Sequence, residues 1–164
     1  MPQKYVKKIL DARIYDLAVE TPVDAAPLLS QRLNNEILLK REDLQPVFSF
    51  KLRGAYNKLR QLSKAQLEAG VIAASAGNHA QGLALAAQKM GVKATIVMPI
   101  TTPKIKVDAV RGWGANVVLF CDNYDAAAGH ANELIEQHGM TYIHPFDDPD
   151  IIAGQGTVGM EILR

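Results

Sequence analysis

The sequence contains a single cysteine, no long apolar run and no block of like charges. With Cys121 alone, the chain has neither an internal disulfide nor a thiolate zinc site, which favours a reducing compartment. The 18 Lys and Arg residues nearly balance the 17 Asp and Glu residues, so no basic surface for nucleic acid or acidic lipid is predicted. Residues 1–18 carry charges throughout, which excludes a signal peptide or a spanning segment there. We therefore expect a cytoplasmic protein that acts on a small molecule, without a nucleic-acid or membrane partner.

Hydrophobic residues make up 48% of the 164 residues, which is enough for a folded domain with a core. From residue 71 onward, short apolar runs alternate with helical stretches in the order β-α-β-α-β-α-β. The runs are continuous rather than alternating, as in parallel strands that are covered on both faces. They are Val71–Ala74, Ala94–Met98, Asn116–Phe120 and Met140–Ile143. The sequence thus predicts an α/β fold with αβα layers around a parallel sheet.

Residues typical of helix ends agree with this division. Gly91 and Gly139 lie where C-caps are needed, because glycine adopts the left-handed conformation without strain. Thr102 followed by Pro103 predicts a capped helix start.

The first fifty residues predict shorter elements. Apolar residues at near-helical spacing predict an amphipathic helix over residues 6–17. A second helix over 28–33 leads into a strand over 36–40, and another helix opens near Phe50.

Lys51 is the first candidate for a chemical role. Ser49 is placed to cap a helix, so Lys51 falls in the first turn, where free N–H groups and the helix dipole make the surroundings electropositive. That field and partial burial beside Phe50 both disfavour the ammonium form, so the amine would lose its proton more readily than a surface lysine. Imine chemistry needs such an amine. The alternative is an ordinary solvated lysine.

The second candidate is the segment Ser75–Gly82, which directly follows a predicted strand and opens a helix. Small residues there present backbone N–H groups to an anion, and the helix dipole adds to the attraction. Ser75 offers a hydroxyl, Asn78 an amide and His79 an imidazole, while Gly77 lets a ligand approach the backbone. Ligands of open α/β sheets bind at this end of the strands. The alternative is a helix start that is simply capped by Ser or Asn.

The motifs SFKLRGA (49–55) and SAGNHAQG (75–82) resemble the cofactor-lysine motif and the substrate-carboxylate loop of the threonine dehydratase family. Further segments are similar to this family in the correct order, from about Tyr5 to FDDPDIIAGQGT (146–157). The resemblance implies a fold-type II pyridoxal-phosphate enzyme, with pyridoxal phosphate as its cofactor.

The resemblance also implies roles for individual residues. Lys51 is the catalytic residue and forms the Schiff base with the cofactor, Phe50 packs on the pyridine ring, and Asn78 bonds the phenolic oxygen. No metal is implied. The substrate carboxylate is bound by Ser75, Ala76, Gly77, Asn78 and His79.

The same resemblance suggests how the chain is divided. Residues 1–52 would be the N-terminal part of the large cofactor domain, 53–145 a complete small αβα domain, and 146–164 the start of the remainder of the large domain, which is incomplete. The family's glycine-rich phosphate loop lies beyond this N-terminal portion, so we expect the 164-residue chain alone to be inactive. A homo-oligomer is expected for the full-length enzyme.

The implied activity is dehydration and deamination of L-threonine, and of L-serine, to 2-oxobutanoate or pyruvate and ammonia, as part of isoleucine biosynthesis. Two alternatives stay open. One is a serine racemase or serine dehydratase of the same family, and the other is a non-catalytic module.

Two further patterns are interpreted as structural. The letters of G-x-G-x-x-G at Gly154–Gly159 lack the preceding strand and the later acidic residue of a dinucleotide site. Cys121, after an apolar run, is expected to be a small buried residue.

Overall fold

The N-terminal part of the chain folds into short elements, and the computed structural model describes residues 2–164. Strands β1 (Val23–Ala25) and β2 (Leu38–Lys40) pair antiparallel and form a small two-stranded sheet. The predicted second helix is confirmed, whereas the predicted strand begins two residues later than residue 36. A 3-10 helix over Glu42–Leu44 follows. These elements are helix α1 (Pro2–Leu10), strand β1 (Val23–Ala25), helix α2 (Pro27–Leu33) and strand β2 (Leu38–Lys40).

The first helix ends at Leu10, so its predicted continuation to residue 17 is wrong. Beyond it, the carbonyl of Ile14 accepts hydrogen bonds from the backbone N–H groups of Leu17 and Ala18, which forms a tight turn. The turn buries Ile14 completely, whereas Leu10 on the helix stays largely exposed. Burial of Ile14 in the core therefore decides the direction of the chain here, and helical spacing alone does not report it.

From residue 51 onward, helices and strands alternate much as the sequence predicts. The helices are α3 (Lys51–Gln61), α4 (Lys64–Ala69), α5 (Asn78–Met90), α6 (Lys104–Gly112), α7 (Tyr124–His138) and α8 (Pro149–Ile162). The strands are β3 (Val71–Ala74), β4 (Ala94–Met98), β5 (Asn116–Leu119) and β6 (Thr141–Tyr142).

These four strands form one parallel sheet in the spatial order β5–β4–β3–β6. Successive residues of β3 point to opposite faces of the sheet. Val71 and Ala73 pack with apolar residues of α3, α5 and α6, and Ile72 and Ala74 pack with α7. The predicted layers of helices on both faces of a parallel sheet are therefore confirmed.

Helix α3 lies between α5 and α8 and contacts both. A Cβ atom on Gly154 would lie 2.8 Å from the Cα atom of Gly54, and one on Gly54 would lie 2.9 Å from the carbonyl oxygen of Ile151. On the other side of α3, a Cβ atom on Gly82 would lie 2.9 Å from the backbone nitrogen of Leu52. Glycine thus lets α3 touch both neighbours through its backbone. The G-x-G-x-x-G letters lie inside α8, where their first glycine serves this packing.

The helix ends test the predicted caps. Gly91 and Gly139 end α5 and α7 in the left-handed conformation, as predicted, with φ of 66° and 67°. The prediction for Thr102 is wrong, because Pro103 is itself the N-cap of α6 and no side chain of the described residues caps that helix. Cys121 is exposed rather than buried, and the chain has a φ of 49° there, two residues after the end of the strand over Asn116–Leu119.

Arg53 is fully buried on α3 and joins three distant parts of the chain. Its Nε and Nη2 atoms each donate over 2.8 Å to a carboxylate oxygen of Glu42 in the 3-10 helix. Nη1 and Nη2 donate to the two oxygens of Glu161 on α8. Nη1 also donates to Thr157 Oγ1, and Nη2 donates to the carbonyl of Val19, both over 3.1 Å. Every nitrogen of the guanidinium group is therefore satisfied.

Glu161 is the second centre of this buried network. It pairs with Lys40 Nζ at 2.6 Å and accepts a hydrogen bond of 2.8 Å from the Tyr15 hydroxyl. Burial acts against ionisation of Glu161, but hydrogen bonds from Arg53, Lys40 and Tyr15 outweigh it and hold the pKa of this carboxyl below its ordinary range. Two cations thus face two carboxylates, so the buried charge is balanced.

His79, the second residue of α5, links that helix to the end of β6. Its Nε2 atom donates to the carbonyl of Ile143 over 2.9 Å, while Nδ1 is buried without a partner among the described residues. Burial lowers the pKa of His79 to about 4, although its bond to Ile143 opposes this, and the charges of Lys51 and His144 lower it further.

None of the helices within residues 2–164 is long and apolar enough to cross a membrane. Helix α3 runs through the first predicted domain boundary, between residues 52 and 53. The division into domains stays a prediction.

Removal of the buried guanidinium group should destabilise the fold strongly. Arg53→Met leaves the buried Glu161 and the half-buried Glu42 with Lys40 as the one remaining cation in this network, and breaking a buried pair costs about 3–5 kcal/mol. Urea unfolding of the two proteins measures the difference in free energy. Arg41→Met is the matched control, because Arg41 also pairs with two carboxylates, those of Asp24 and Asp43, but at the surface. Equal losses in both variants would contradict the role of Arg53.

Stability should also fall on acidification through the pKa range of His79. The folded chain binds this proton less readily than the unfolded chain, whose histidine keeps its ordinary value of 6.5. Between about pH 6.5 and 4 the unfolded state therefore gains protons first, and the free energy of unfolding decreases as the pH falls. His79→Gln, which keeps a donor for Ile143, should flatten this part of the pH profile. His138→Gln, at an exposed position, is the control, and a wild-type profile in His79→Gln would refute the assignment.

Candidate functional site

The predicted site residues meet at the carboxyl ends of two neighbouring strands. The loop Ser75–Gly77 follows β3, and Ile143–Pro145 follows β6, which lies beside β3 in the sheet. Lys51, at the start of α3, reaches the second of these segments. The place agrees with the general rule that ligands of open α/β sheets bind outside the carboxyl ends of the strands.

Lys51 is the first residue of α3, and its side chain is half-buried. Its Nζ atom donates to the carbonyl of Pro145 over 2.7 Å and lies 5.5 Å from the centre of the Phe50 ring. Among the described residues, no carboxylate pairs with it. Burial lowers the pKa of Lys51, as the sequence suggested. The Ser49 hydroxyl accepts a bond of 3.3 Å from the backbone N–H of Lys51, but Phe50 is the N-cap.

The start of α5 has free backbone donors. Gly77 is its N-cap, and within the described part of the chain no side chain accepts from the first N–H groups of this helix. The alternative of a simple Ser or Asn cap is therefore wrong. The Ser75 hydroxyl instead accepts from the N–H of Gly77, over 3.3 Å. A Cβ atom on Gly77 would meet no atom within 4 Å, so there is open space for an anion beside these donors.

The five residues of the predicted carboxylate loop differ in exposure. Asn78 is exposed at the first position of α5, Ala76 and Gly77 are half-buried, and Ser75 is buried. His79 is buried as well, with its imidazole bonded to Ile143. We therefore expect the backbone N–H of His79, rather than its ring, to meet a ligand at this helix start.

Sequence reasoning missed the contribution of residues 143–145. Two carbonyl groups of this segment accept from site side chains, that of Ile143 from His79 and that of Pro145 from Lys51. Carbonyl groups carry no signal in the side-chain sequence. The one available signal is topological, because a strand that lies next to β3 must end at the same edge of the sheet.

The geometry brings together a half-buried amine, an aromatic ring and a helix start with free N–H groups. Such a set suits a ligand that carries an anionic group and a carbon that reacts with an amine. Among residues 2–164, no three His, Cys, Asp or Glu side chains cluster as metal ligands.

Known proteins are similar to this chain in sequence and in fold. Residues 14–164 match the family model described as pyridoxal-phosphate dependent enzyme. The chain is 60% identical over 161 residues to the biosynthetic, chloroplastic threonine dehydratase of Arabidopsis thaliana. That match covers 98% of this chain but only 27% of the relative, so the chain spans little more than a quarter of that protein's length.

Two solved structures agree with the fold. The processed form of threonine deaminase isoform 2 from Solanum lycopersicum is 56% identical, with a TM-score of 0.92, and the match covers 97% of this chain and 46% of that one. Maize serine racemase is 32% identical, also with a TM-score of 0.92, over 96% of this chain and 49% of that one. The parallel sheet flanked by helices is thus a fold-type II architecture, and the chain belongs to the family of pyridoxal-phosphate dependent enzymes.

Proposed function

We propose that this chain supplies the reactive lysine and the substrate-carboxylate loop of a threonine dehydratase. The reaction is dehydration and deamination of L-threonine to 2-oxobutanoate and ammonia, with L-serine giving pyruvate. The observation that carries the proposal is Lys51, a half-buried amine without a carboxylate partner among the described residues, at the strand edge where α5 opens with free N–H groups. The high identity to a protein named threonine dehydratase supports this choice of substrate.

The residues present fit one side of pyridoxal phosphate. Lys51 has the accessible amine to which the cofactor carbonyl would attach, and the Phe50 ring beside it, 39% exposed, offers a flat apolar face. The exposed amide of Asn78 has donors for a phenolic oxygen. Open space at Gly77 leaves room for the substrate next to the ring.

The chain's own residues would handle the proton and the carboxylate. When bound, pyridoxal phosphate supplies a carbonyl that condenses with amines and a ring that withdraws electrons from the substrate α-carbon. Lys51 Nζ would accept the proton from that carbon, and burial helps because a lowered pKa leaves more of the amine neutral. The N–H groups at the start of α5 would hold the substrate carboxylate in place during the transfer.

Serine racemization is the second candidate. Maize serine racemase has a fold as similar as that of the tomato threonine deaminase, so the backbone does not separate the two reactions. Sequence identity does favour threonine dehydration, at 56% against 32%. A non-catalytic module is the third candidate, and the formation of 2-oxobutanoate or D-serine distinguishes it from both enzymes.

The wider context belongs to the same proposal. We include a role in isoleucine biosynthesis in this proposal, and the Arabidopsis relative, which is named biosynthetic, supports a biosynthetic role. A homo-oligomer is expected for the complete protein. A cytoplasmic location stays a prediction, because that relative is named chloroplastic. We also expect the 164-residue chain alone to be inactive, since it spans 27% of that relative.

The first test is the identity of the cofactor lysine. Borohydride treatment of the chain with pyridoxal phosphate, followed by peptide mapping, should place the cofactor on Lys51. Lys40 and Lys58 are the informative competitors, because a carboxylate pairs with each of them, whereas none pairs with Lys51 among the described residues. Lys58→Ala should leave the labelling unchanged and Lys51→Ala should remove it. Labelling of Lys40 or Lys58 in the wild-type chain would refute the assignment.

The second test is the reaction itself, in the protein expressed from the complete gene. Lys51→Ala should lower the rate of 2-oxobutanoate formation by roughly 10²–10⁴-fold or more, the usual contribution of a general acid–base group. Asn78→Ala should weaken catalysis, whereas Asn132→Ala, at an exposed position of α7, should not. Formation of D-serine from L-serine without oxoacid would favour the racemase. Absence of both products in the wild-type protein would favour the non-catalytic module.

A further inference from the structure

The two predicted site segments lie on different helices, and these helices touch at Gly82. Lys51 opens α3, and the loop Ser75–His79 opens α5. A Cβ atom on Gly82 would lie 2.9 Å from the nitrogen of Leu52, 3.0 Å from the carbonyl carbon of Lys51 and 3.1 Å from the Cα atom of Leu52. All three are backbone atoms, which cannot turn away as the end of a flexible side chain can.

Helix propensity does not explain why residue 82 is a glycine. Its neighbours Ala80, Ala84, Ala86 and Ala87 are all buried alanines. Glycine inside a helix is about 1 kcal/mol less favourable than alanine. The glycine at this one buried position is therefore explained by the close approach of α3, which leaves no space for a methyl group.

Gly82 is also well placed to control the start of α5. It lies four residues after Asn78, so the two residues share a face of the helix, one turn apart. In addition, His79 and Lys51 donate hydrogen bonds to the carbonyl groups of Ile143 and Pro145, two residues apart on the same segment. Lys51 and the loop Ser75–His79 are thus both anchored to the segment 143–145, and their helices are in direct backbone contact at Gly82.

We propose that Gly82 is a positioning residue, whose contact with the Lys51–Leu52 backbone sets the separation between the Lys51 amine and the loop Ser75–His79. The inference rests on the proposed function, which assigns both segments to one reaction. A methyl group at residue 82 would have to move from 2.9 Å to an ordinary contact of about 3.5 Å or more, and α5 would carry the loop with it. A misplacement of about 1 Å can lower a rate on the order of a hundredfold.

The first experiment measures the separation without cofactor or substrate. The pKa of His79 is followed by NMR in the chain, with and without Lys51→Met, since the Lys51 charge lowers that pKa. The change on Lys51→Met reports the coupling between the two residues. We expect it to be smaller in Gly82→Ala than in the wild type, and unchanged in Gly129→Ala, a helical glycine of α7 with open space around it. Equal coupling in both variants overturns the proposal.

A second glycine separates positioning from general destabilisation. Gly154→Ala creates a clash of α3 with α8 instead of α5. If Gly82 only preserves stability, the two variants will lose Lys51–His79 coupling in proportion to their loss of unfolding free energy. A larger loss of coupling in Gly82→Ala at equal or smaller destabilisation supports positioning.

The second experiment uses the protein expressed from the complete gene. Gly82→Ala should lower kcat/KM for L-threonine by about tenfold or more, while borohydride still places the cofactor on Lys51, since the Arg53 network holds α3. Wild-type kcat/KM in an active Gly82→Ala enzyme overturns the inference. If the wild-type protein itself forms no oxoacid, the proposed function fails, and the NMR coupling still decides whether Gly82 sets the separation.

A measurement on the wild-type chain covers the case in which Gly82→Ala does not fold. The nuclear Overhauser effect between the Gly82 Hα atoms and the Leu52 N–H is recorded before and after addition of pyridoxal phosphate and L-threonine. Its persistence supports a fixed contact between α5 and α3. Its loss on addition of the ligands shows that α5 moves against α3 and overturns the proposal.

Discussion

The buried guanidinium group of Arg53 is the constraint on which the arrangement of the helices depends. A charge without water must be paired and fully hydrogen-bonded, and Arg53 achieves this only when Glu42, Glu161, Thr157 and the Val19 carbonyl all converge on α3. These partners come from both ends of the chain. Their convergence fixes the N-terminal elements and α8 to the same helix, two residues away from Lys51.

Close contacts at glycine residues act together with the ion pairs to position α3. The network holds α3 against α8, and Gly54 and Gly154 let the two backbones touch there, while Gly82 does the same toward α5. Helix α3 therefore packs directly against both α8 and α5. Since Lys51 is the first residue of α3, its backbone is located by contacts on two sides, and only its side chain is left to move.

Much of this architecture could be predicted from local sequence, because the signals were local. The four apolar runs became the four parallel strands, and the glycines at 91 and 139 became C-caps, since each depends only on residues close in the chain. The failures share another cause. The early end of α1 goes with the burial of Ile14 in the core, and the burial of Arg53 depends on its partner Glu161, which lies 108 residues away.

The candidate site also combines residues that the local sequence predicts with contacts that only the tertiary structure creates. Lys51 and the loop Ser75–His79 could be found because their residue types and order form recognisable motifs. The carbonyl of Pro145 could not, because every residue has a carbonyl group and only the order of strands in the sheet brings this one to the amine. Gly82 was visible as a letter of the second motif, but its contact with α3 required the packing of two helices.

The nature of its hydrogen bond makes Lys51, among the half-buried lysines, the candidate for the reactive amine. Lys58 pairs with Asp148 and Asp150, and although its burial acts against it, these carboxylates raise its pKa and keep the proton on the amine. Lys51 has a neutral carbonyl as its partner, and a hydrogen bond of this kind contributes about 0.5–1.5 kcal/mol net, or somewhat more to a charged donor. A contact that weak holds the side chain in place yet can be exchanged for a bond to a ligand. Burial without a counter-ion therefore lowers the pKa of the amine and at the same time leaves it free to leave Pro145.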